Sequence, residues 1–263
     1  MKEKPWQLQL FAKSLKKKEK LRILNKNLNI PPSSLILDLG CAQGVLSYFL
    51  RQKGGTWISA DQDFQNLQSS YLLLKNNLIQ VEEGPLPFMD ESFDRVVSLD
   101  YLEHLEKDDQ CLEEIKRILK PGGQLVLATP RTGRFFFIHK LRSLLGMKLE
   151  YYGHKREGYR KKDLKTKVNR AGMSVNRCLT FSRTVTEFLE LVLNFLYIRF
   201  SRLKTHPKLR DGHIRPSTGK EFSSEKKSFR IYSFIYPLIW LLSRVDKLLF
   251  WQRGYVLLIW AKK

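Results

Sequence analysis

The sequence predicts an α/β fold in which helices cover both faces of a doubly wound, mostly parallel sheet. Three observations lead to this prediction. First, an apolar run at 35–39 is followed by a glycine turn and then by apolar residues at helical spacing. Second, strand-like and helix-like segments alternate to about residue 130. Third, a second strand-like run ends in the carboxylate Asp61. Strands joined through helical segments imply right-handed crossovers and parallel neighbours.

The predicted elements follow one another in a regular order. Short apolar runs bounded by turn residues predict buried strands at 35–39, 56–60, 78–82, 93–99 and 124–129. Apolar residues at helical spacing predict helices at about 44–52, 63–76 and 107–120. Asp63 is expected to cap the second helix, and Lys120 to Gly123 to form a helix-to-strand turn.

The turn after the first strand has the features of a cofactor site. Gly40 and Gly44 let a ligand approach the backbone, and Asp38 stands at the carboxyl end of the strand, where open α/β sheets bind ligands. The dinucleotide fingerprint G-x-G-x-x-G is absent, because Gly40 is followed by C-A-Q-G. Asp61 follows after roughly 20 residues, as expected for a carboxylate that binds a ribose diol. The pattern favours a nucleoside cofactor without phosphates.

An ordered series of motifs makes a more specific resemblance. The series consists of D-x-G-x-x-x-G at 38–44, the acidic strand end at Asp61, L-P-F-M-D-E-S-F-D at 86–94, L-E-H-L at 102–105 and L-K-P-G-G at 119–123. It resembles the class I S-adenosylmethionine-dependent methyltransferases, in the group that includes quinone-biosynthesis and small-molecule enzymes. The resemblance covers about residues 35–130.

The resemblance implies a Rossmann-like, seven-stranded sheet whose last strand runs antiparallel to the others. It places a helix at 162–171, the sixth strand at 174–181 and the last strand at 254–261. The methyltransferase domain would then comprise 33–182 and 254–263, with an apolar helical insertion at 183–253.

The resemblance also implies S-adenosylmethionine as the cofactor and assigns residues to it. Glycine-turn residues would hold the methionine part, Asp38 would orient the turn and the cofactor amine, and Asp61 would bind the ribose hydroxyls. Residues after the second and third strands would lie beside the adenine. The full predicted set is Asp38, Gly40, Ala42, Gly44, Asp61, Gln62, Glu82, Glu83 and Leu99.

A hydroxyl acceptor would need a general base near the transferred methyl group. Asp100 and His104 follow the fourth strand, and His139 and His154 lie further along the chain. Each has a structural alternative: Asp100 can cap a helix, and His104 can tie a helix to a loop. The sequence does not decide among them.

The three widely spaced cysteines form no metal pattern or disulfide framework, so no metal site and a reducing, cytoplasmic location are predicted.

Charge is strongly segregated along the chain. The net charge is +21, yet residues 35–130 carry a balance of −7 and the remainder +28. Basic flanks of this kind meet an anionic partner, either a membrane surface or nucleic acid. Residues 1–32 are expected to form a basic helical arm, which either packs over the sheet edge or serves as a lid or membrane-contact helix.

The insertion contains two apolar stretches, 185–200 and 231–242, with basic residues at their ends. Neither reaches the ~20 apolar residues that span a bilayer, and Pro237 is expected to interrupt the second. Three interpretations stay open: a helical cap over the active site, helices lying in a membrane interface, or an oligomer contact. Residues 203–227 are predicted to form a mobile loop.

These features predict a methyltransferase that modifies a hydrophobic small molecule, such as a lipid, a quinone or a lipid-linked sugar, with a peripheral location at the inner face of the membrane. RNA surfaces seldom need apolar helices, so an RNA methyltransferase is the second interpretation. A cofactor-binding scaffold without catalysis is the third. The oligomeric state is not predicted.

Overall fold

The computed structural model describes residues 4–133, 137–147, 149–200 and 218–263. A seven-stranded sheet forms the centre of the fold. Its strand order is β3-β2-β1-β4-β5-β7-β6. The strands are β1 (Leu35–Leu39), β2 (Thr56–Asp61), β3 (Leu78–Gln80), β4 (Phe93–Leu99), β5 (Leu119–Pro130), β6 (Ser174–Phe181) and β7 (Val256–Lys262). The first five pair in parallel, and β7 lies antiparallel to both neighbours. The predicted fold class is confirmed.

Helices flank the sheet on both faces. They are α1 (Trp6–Ala12), α2 (Leu15–Asn27), α3 (Val45–Arg51), α4 (Phe64–Leu74), α5 (Asp108–Ile118), α6 (Phe137–Leu144), α7 (Lys161–Arg170), α8 (Thr184–Phe200), α9 (Gly219–Ser224) and α10 (Lys226–Ser243). Short 3-10 turns lie at Leu102–His104, Leu149–Tyr152 and Arg244–Lys247. As predicted, Asp63 caps α4, because its carboxylate accepts a hydrogen bond from the Gln65 amide at 2.7 Å.

Predicted boundaries differ from the structure near residues 80 and 119–124, where β5 begins at Leu119 and includes the turn predicted at 120–123. The helix expected to reach residue 120 ends at Ile118, because Leu119 already pairs with Phe93 of β4. The third strand ends at Gln80 and not at residue 82. In both places the sheet hydrogen bonds, which depend on a distant strand, decide the boundary.

Apolar side chains form a separate layer on each face of the sheet. Leu37 of β1 packs in one layer with residues of α5 and α7, such as Ile115 and Leu164. Ile36, the preceding residue, packs in the other layer with Leu24 of α2. Successive side chains of a strand point to opposite faces, so a strand covered on both sides must be apolar throughout.

The N-terminal arm belongs to the core of the domain. Leu21, Leu24 and Leu28 of α2 are buried in the same apolar layer as β1, β4 and β5. The Gln7 side chain of α1 donates a hydrogen bond to the Ser69 carbonyl of α4 at 2.7 Å. The arm therefore covers a face of the sheet, and the boundary predicted at residue 32 does not coincide with a break in the core.

The predicted insertion forms helices that pack against the domain. Leu191 of α8 packs with Ile138 of α6 and Tyr255, and Tyr236 and Ile239 of α10 pack with Leu15 of α2. The Asp246 carboxylate accepts hydrogen bonds from the backbone amides at the start of α8, at Arg183, Val185 and Thr186. Among the described residues, no helix is both long and apolar enough to cross a membrane.

Two predictions for this region need correction. Pro237 does not interrupt its helix, since α10 continues through it from Lys226 to Ser243. The predicted loop at 203–227 lies outside the described residues up to 217, and its remainder forms α9 and the start of α10.

Candidate active site

A cavity of about 370 Å³ opens at the carboxyl ends of β1 and β4. The turn after β1 forms its floor, and residues of α2, α6 and α8 form its walls. Of the predicted cofactor residues, Asp38, Gly40, Ala42 and Leu99 line the cavity. Gly44, Asp61, Gln62, Glu82 and Glu83 do not line it.

The turn that forms the floor is held in a left-handed conformation. Gly40 has φ +83° and Ala42 φ +47°. The Gly40 and Cys41 amides both donate to the Ala60 carbonyl, at 2.8 and 3.0 Å, which fixes the turn against β2. Left-handed backbone costs a residue with a Cβ roughly 1–2 kcal/mol, so Ala42 is a strained position within the turn.

The structure requires glycine at positions 40 and 44 for reasons that differ from the prediction. We expected the space beside Gly40 to belong to the cofactor, but a Cβ there would lie 2.5 Å from Tyr101, whose ring fills that space. A Cβ on Gly44 would lie 2.8 Å from Cβ of Ser70 in α4. Gly44 thus permits close packing of α3 on α4, a role that the sequence prediction did not include.

Asp61 anchors the turn. One oxygen of its carboxylate accepts from the Ala42 amide at 2.7 Å, and the other accepts from the Asp63 amide at 3.0 Å and from the Asn66 side chain at 3.1 Å. The side chain is 6% exposed, and burial raises its pKa although the three donors oppose this shift. The predicted ribose contact thus involves a carboxylate that already binds the cofactor turn.

Asp38 is a second buried carboxylate, at the end of β1. It is 3% exposed, and the hydroxyls of Ser47 and Ser59 both donate to the same carboxylate oxygen. Burial raises the pKa of Asp38 to about 6, because removal from water disfavours the charged form more than the two hydroxyls favour it. Asp38 therefore changes charge close to neutral pH.

This pKa makes cofactor affinity depend on pH. If Asp38 attracts the cofactor ammonium group, binding of S-adenosylmethionine should be strongest where Asp38 is ionised and should weaken as pH falls through about 6. The loss would be up to about tenfold per pH unit. Calorimetric titrations between pH 5 and 8 measure this dependence.

The matched variant for this prediction is Ser47→Ala. The Ser47 hydroxyl lowers the pKa of Asp38, so its removal should move the midpoint of the affinity profile to higher pH. Arg51 and Asp61 also act on this pKa, in opposite directions. Affinity that stays constant from pH 5 to 8, or a midpoint unchanged in Ser47→Ala, would contradict a role for Asp38 in binding the ammonium.

The residues predicted to lie beside the adenine have other contacts. The Glu83 carboxylate accepts a hydrogen bond from the Lys107 amide at the start of α5. The Gln62 carbonyl accepts from the Gln80 side chain at 3.1 Å. The Glu83 carboxylate thereby joins the loop after β3 to a helix, and its place beside the adenine stays a prediction. Gln62 and Glu82 stay predictions.

All four predicted base candidates line the cavity. Asp100 accepts a hydrogen bond from Lys20; although burial would raise its pKa, the charges of Lys20, Lys16 and Lys17 bring it below the usual value. His104 and His154 meet edge to face, with ring centroids 4.8 Å apart. Burial and the neighbouring His104 lower the pKa of His154 to about 3. His139 also lines the cavity, and its Nε2 lies 2.9 Å from the Arg131 carbonyl.

Several charged residues of the cavity were not predicted, among them Lys20 and Glu103. Lys20 of α2 is only 3% exposed, although the sequence placed it on a basic arm. Glu103 is fully buried, and neither of its carboxylate oxygens has a hydrogen-bond partner among the described residues. Burial, together with the Asp100 charge, raises the pKa of Glu103 well above its usual range. The sequence feature that could have indicated Glu103 is its position between Leu102 and His104 in the motif L-E-H-L.

One group of side chains has the spacing of metal ligands, although the sequence predicted no metal. Donor atoms of Glu103, His104 and His154 lie within 4.8 Å of one another. Burial and the Asp100 charge raise the pKa of Glu103 and so disfavour the carboxylate form that metal ligation requires.

Part of the chain is similar in sequence to known methyltransferases. Residues 37–127 match the profile of a family described as methyltransferase domain. Methyltransferase GfsG from Streptomyces halstedii is 27% identical over 113 residues, which are 40% of this chain and 41% of the relative. A ubiquinone biosynthesis O-methyltransferase from Pseudomonas fluorescens is 32% identical over 100 residues, which are 36% and 43% of the two chains. This chain thus spans less than half the length of these relatives.

Similarity to solved structures extends over most of the chain. A SAM-dependent methyltransferase from Thermotoga maritima aligns with 93% of this chain and 87% of its own, with a TM-score of 0.55. Its sequence identity is 14%, so the likeness concerns the fold.

Proposed function

We propose that this chain, which contains a class I S-adenosylmethionine-dependent methyltransferase domain, transfers a methyl group to a hydrophobic, lipid-like acceptor at a membrane surface. The domain and its cofactor, as predicted from the sequence, are supported by the family match and by the fold. The acceptor and the location are our proposals. The observation that carries them is a cavity bordered by the cofactor turn and roofed by helices with exposed apolar faces.

The cavity suits the cofactor because its lining carries both signs of charge. Lys16, Lys17 and Arg142 line it together with Asp38 and Glu187, so an ammonium and a carboxylate can each find an opposite charge. When bound, S-adenosylmethionine supplies a methyl group on a sulfonium, whose departure leaves a neutral thioether. The chain then has to position the acceptor and remove its proton.

We assign proton removal to His104. Its Nδ1 lies 2.9 Å from the Gly153 carbonyl, which can only accept, so Nδ1 carries the hydrogen and Nε2 of the neutral ring is the acceptor. The other candidates are poorer bases, and burial lowers the pKa of His139 below its usual value. Asp100 is tied to Lys20, and the pKa of His154 is lowered to about 3. A ubiquinone biosynthesis O-methyltransferase among the relatives supports a hydroxyl acceptor.

The proposed membrane contact is the outer face of α10 and its continuation, here called the α10 apolar face. Side chains at three- and four-residue spacing are exposed along it, and Phe234 is 87% exposed. Basic residues lie at both ends of this helix. The face comprises Ile231, Phe234, Ile235, Leu238, Leu241, Leu242 and Val245, and the basic residues are Lys226, Lys227, Arg230, Arg244, Lys247 and Arg253. Apolar surface bounded by Lys and Arg is typical of helices that lie in a membrane interface.

The protein should therefore sediment with liposomes that contain anionic lipid, and less with neutral ones. Each nearby Lys or Arg contributes ~1 kcal/mol of attraction, which salt weakens, whereas apolar burial persists. The double variant Phe234→Ser and Leu238→Ser should bind anionic liposomes at least about tenfold more weakly, because both side chains insert into the interface.

The matched control is Leu72→Ser and Met89→Ser, two side chains exposed by 49% and 81% that do not belong to the α10 apolar face. This control should bind liposomes like the parent protein. Equal loss in both double variants, or no loss in either, would remove the α10 apolar face from the proposal.

Calorimetry tests the cofactor part of the proposal. S-adenosylmethionine should bind at one site, and S-adenosylhomocysteine should displace it. An RNA acceptor is the second candidate, favoured by the charge of +28 outside residues 35–130. A scaffold that binds the cofactor without turnover is the third. A protein that does not bind the cofactor would contradict all three.

A further inference from the structure

A second cavity adjoins the cofactor cavity. It has a volume of about 390 Å³ and lies between α8 and α10, and α1 and α9 also contribute residues to its lining. Ser14, Glu190 and Asn194 line both cavities. The two spaces are therefore adjacent at these three residues, and the second one is called the apolar groove below.

The lining changes from polar to apolar along the groove. Ser14, Glu190 and Asn194 stand at the junction with the cofactor cavity, whereas Leu193, Phe229 and Tyr232 form the walls beyond it. This arrangement matches a molecule with a polar head and an apolar chain. A volume of several hundred Å³ lined mainly by hydrophobic side chains is typical of sites that enclose small ligands.

The walls of the groove are fixed by contacts of the described residues. The Tyr232 hydroxyl donates to the Lys13 carbonyl at 2.5 Å, which joins α10 to the arm. Tyr232 and Leu193 pack against the buried cluster of Leu15, Tyr236 and Ile239. The groove is therefore formed before any ligand arrives, and binding would not have to order its walls.

The outer end of the groove meets the α10 apolar face. Ile231 and Ile235 line the groove and are also 60% and 41% exposed. An apolar chain leaving a lipid surface at α10 would thus find a continuous apolar path to the junction. From there its polar head would enter the cavity that contains His104.

We propose that the apolar groove binds the hydrocarbon chain of the methyl acceptor and that the junction orients its polar head toward the cofactor turn. This inference rests on the proposed function and adds the substrate class: an amphiphile with at least one alkyl or prenyl chain, and not a compact polar metabolite. Each methylene that enters the groove should strengthen binding by about fourfold until the groove is full.

Photolabelling tests this inference without S-adenosylmethionine. Hexadecanol that carries a diazirine on its chain should label groove residues such as Leu193, Tyr232 and Ile235, and unlabelled hexadecanol should compete far better than octanol. Ser228→Trp places an indole at the groove wall and should reduce labelling at least about fivefold. Ser223→Trp, an exposed position of α9 outside the groove, is the matched control.

A second variant tests whether misfolding explains a loss of labelling. Ile235→Ser keeps a partly exposed position and only reduces the apolar lining, so it should lower labelling while thermal unfolding stays unchanged. Labels confined to Phe234 and Leu238 would mean adsorption to the α10 apolar face and would overturn the inference, as would equal labelling of Ser228→Trp and Ser223→Trp. Because the probe needs no cofactor, failure to bind S-adenosylmethionine would contradict the proposed function and leave this result intact.

Discussion

Replacing Asp61 by alanine is expected to lower the affinity for S-adenosylmethionine at least about tenfold. The carboxylate is proposed to accept hydrogen bonds from the ribose hydroxyls, and charge-assisted bonds contribute ~1.5–3 kcal/mol each. It also accepts from the Ala42 amide at 2.7 Å, so its loss frees the turn that forms the floor of the cavity. Calorimetry measures the affinity, and circular dichroism verifies the fold.

The variant Asn66→Ala separates the proposed ribose contact of Asp61 from its support of the turn. The Asn66 side chain donates to the Asp61 carboxylate at 3.1 Å and supports its position from the side of α4. This variant keeps the carboxylate and should retain the affinity within about twofold. Normal affinity in a folded Asp61→Ala protein would exclude the ribose contact. An equal loss in both variants would show that support of the turn, and not the ribose contact, accounts for the effect.

Replacing Gly40 by alanine is expected to destabilise the protein by about 2–5 kcal/mol. The left-handed backbone at φ +83° contributes roughly 1–2 kcal/mol of this loss. Overlap of the new Cβ with Tyr101, whose nearest atom would lie 2.5 Å away, adds about 1–3 kcal/mol. For a chain of this size the melting temperature should fall by roughly 2–4 °C per kcal/mol, as thermal unfolding measures.

Gly146→Ala is the matched control for backbone strain. Gly146 has φ +68°, and a Cβ there would have no neighbour within 4 Å. It should therefore cost only the roughly 1–2 kcal/mol of left-handed backbone. Similar losses in both variants would mean that Tyr101 moves aside freely and that its packing does not explain the glycine.

The fold was predictable because its signals are local. Most strands up to β5 are short apolar runs separated by residues at helical spacing, whereas β6 and β7 were placed by the resemblance. The same locality explains why Asp38, Gly40 and Ala42 were placed at the site, since one strand end positions all three. Asp100 and His104 were placed there for the same reason, as both follow β4.

The missed features depend on contacts between distant parts of the chain. Lys20 enters the cavity because α2 covers the sheet, and its basic sequence alone resembles a solvated face. The hydrogen bond that Glu83 accepts from the Lys107 amide could not be predicted either, because it joins the loop after β3 to α5. α10 continues through Pro237 although proline removes a helical hydrogen bond, since Tyr236 and Ile239 on either side are buried against α2.

Methyl transfer to a hydrophobic acceptor can be measured with methyl-tritiated S-adenosylmethionine. The protein is incubated with a lipid extract and, separately, with RNA from the same cells, and His104→Ala serves as the control for turnover. We expect tritium in a product that partitions into organic solvent, reduced about 10²-fold or more in His104→Ala, whose cofactor affinity should be unchanged. Tritium found in the RNA instead, or in neither fraction although the cofactor binds, would contradict methyl transfer to a hydrophobic acceptor.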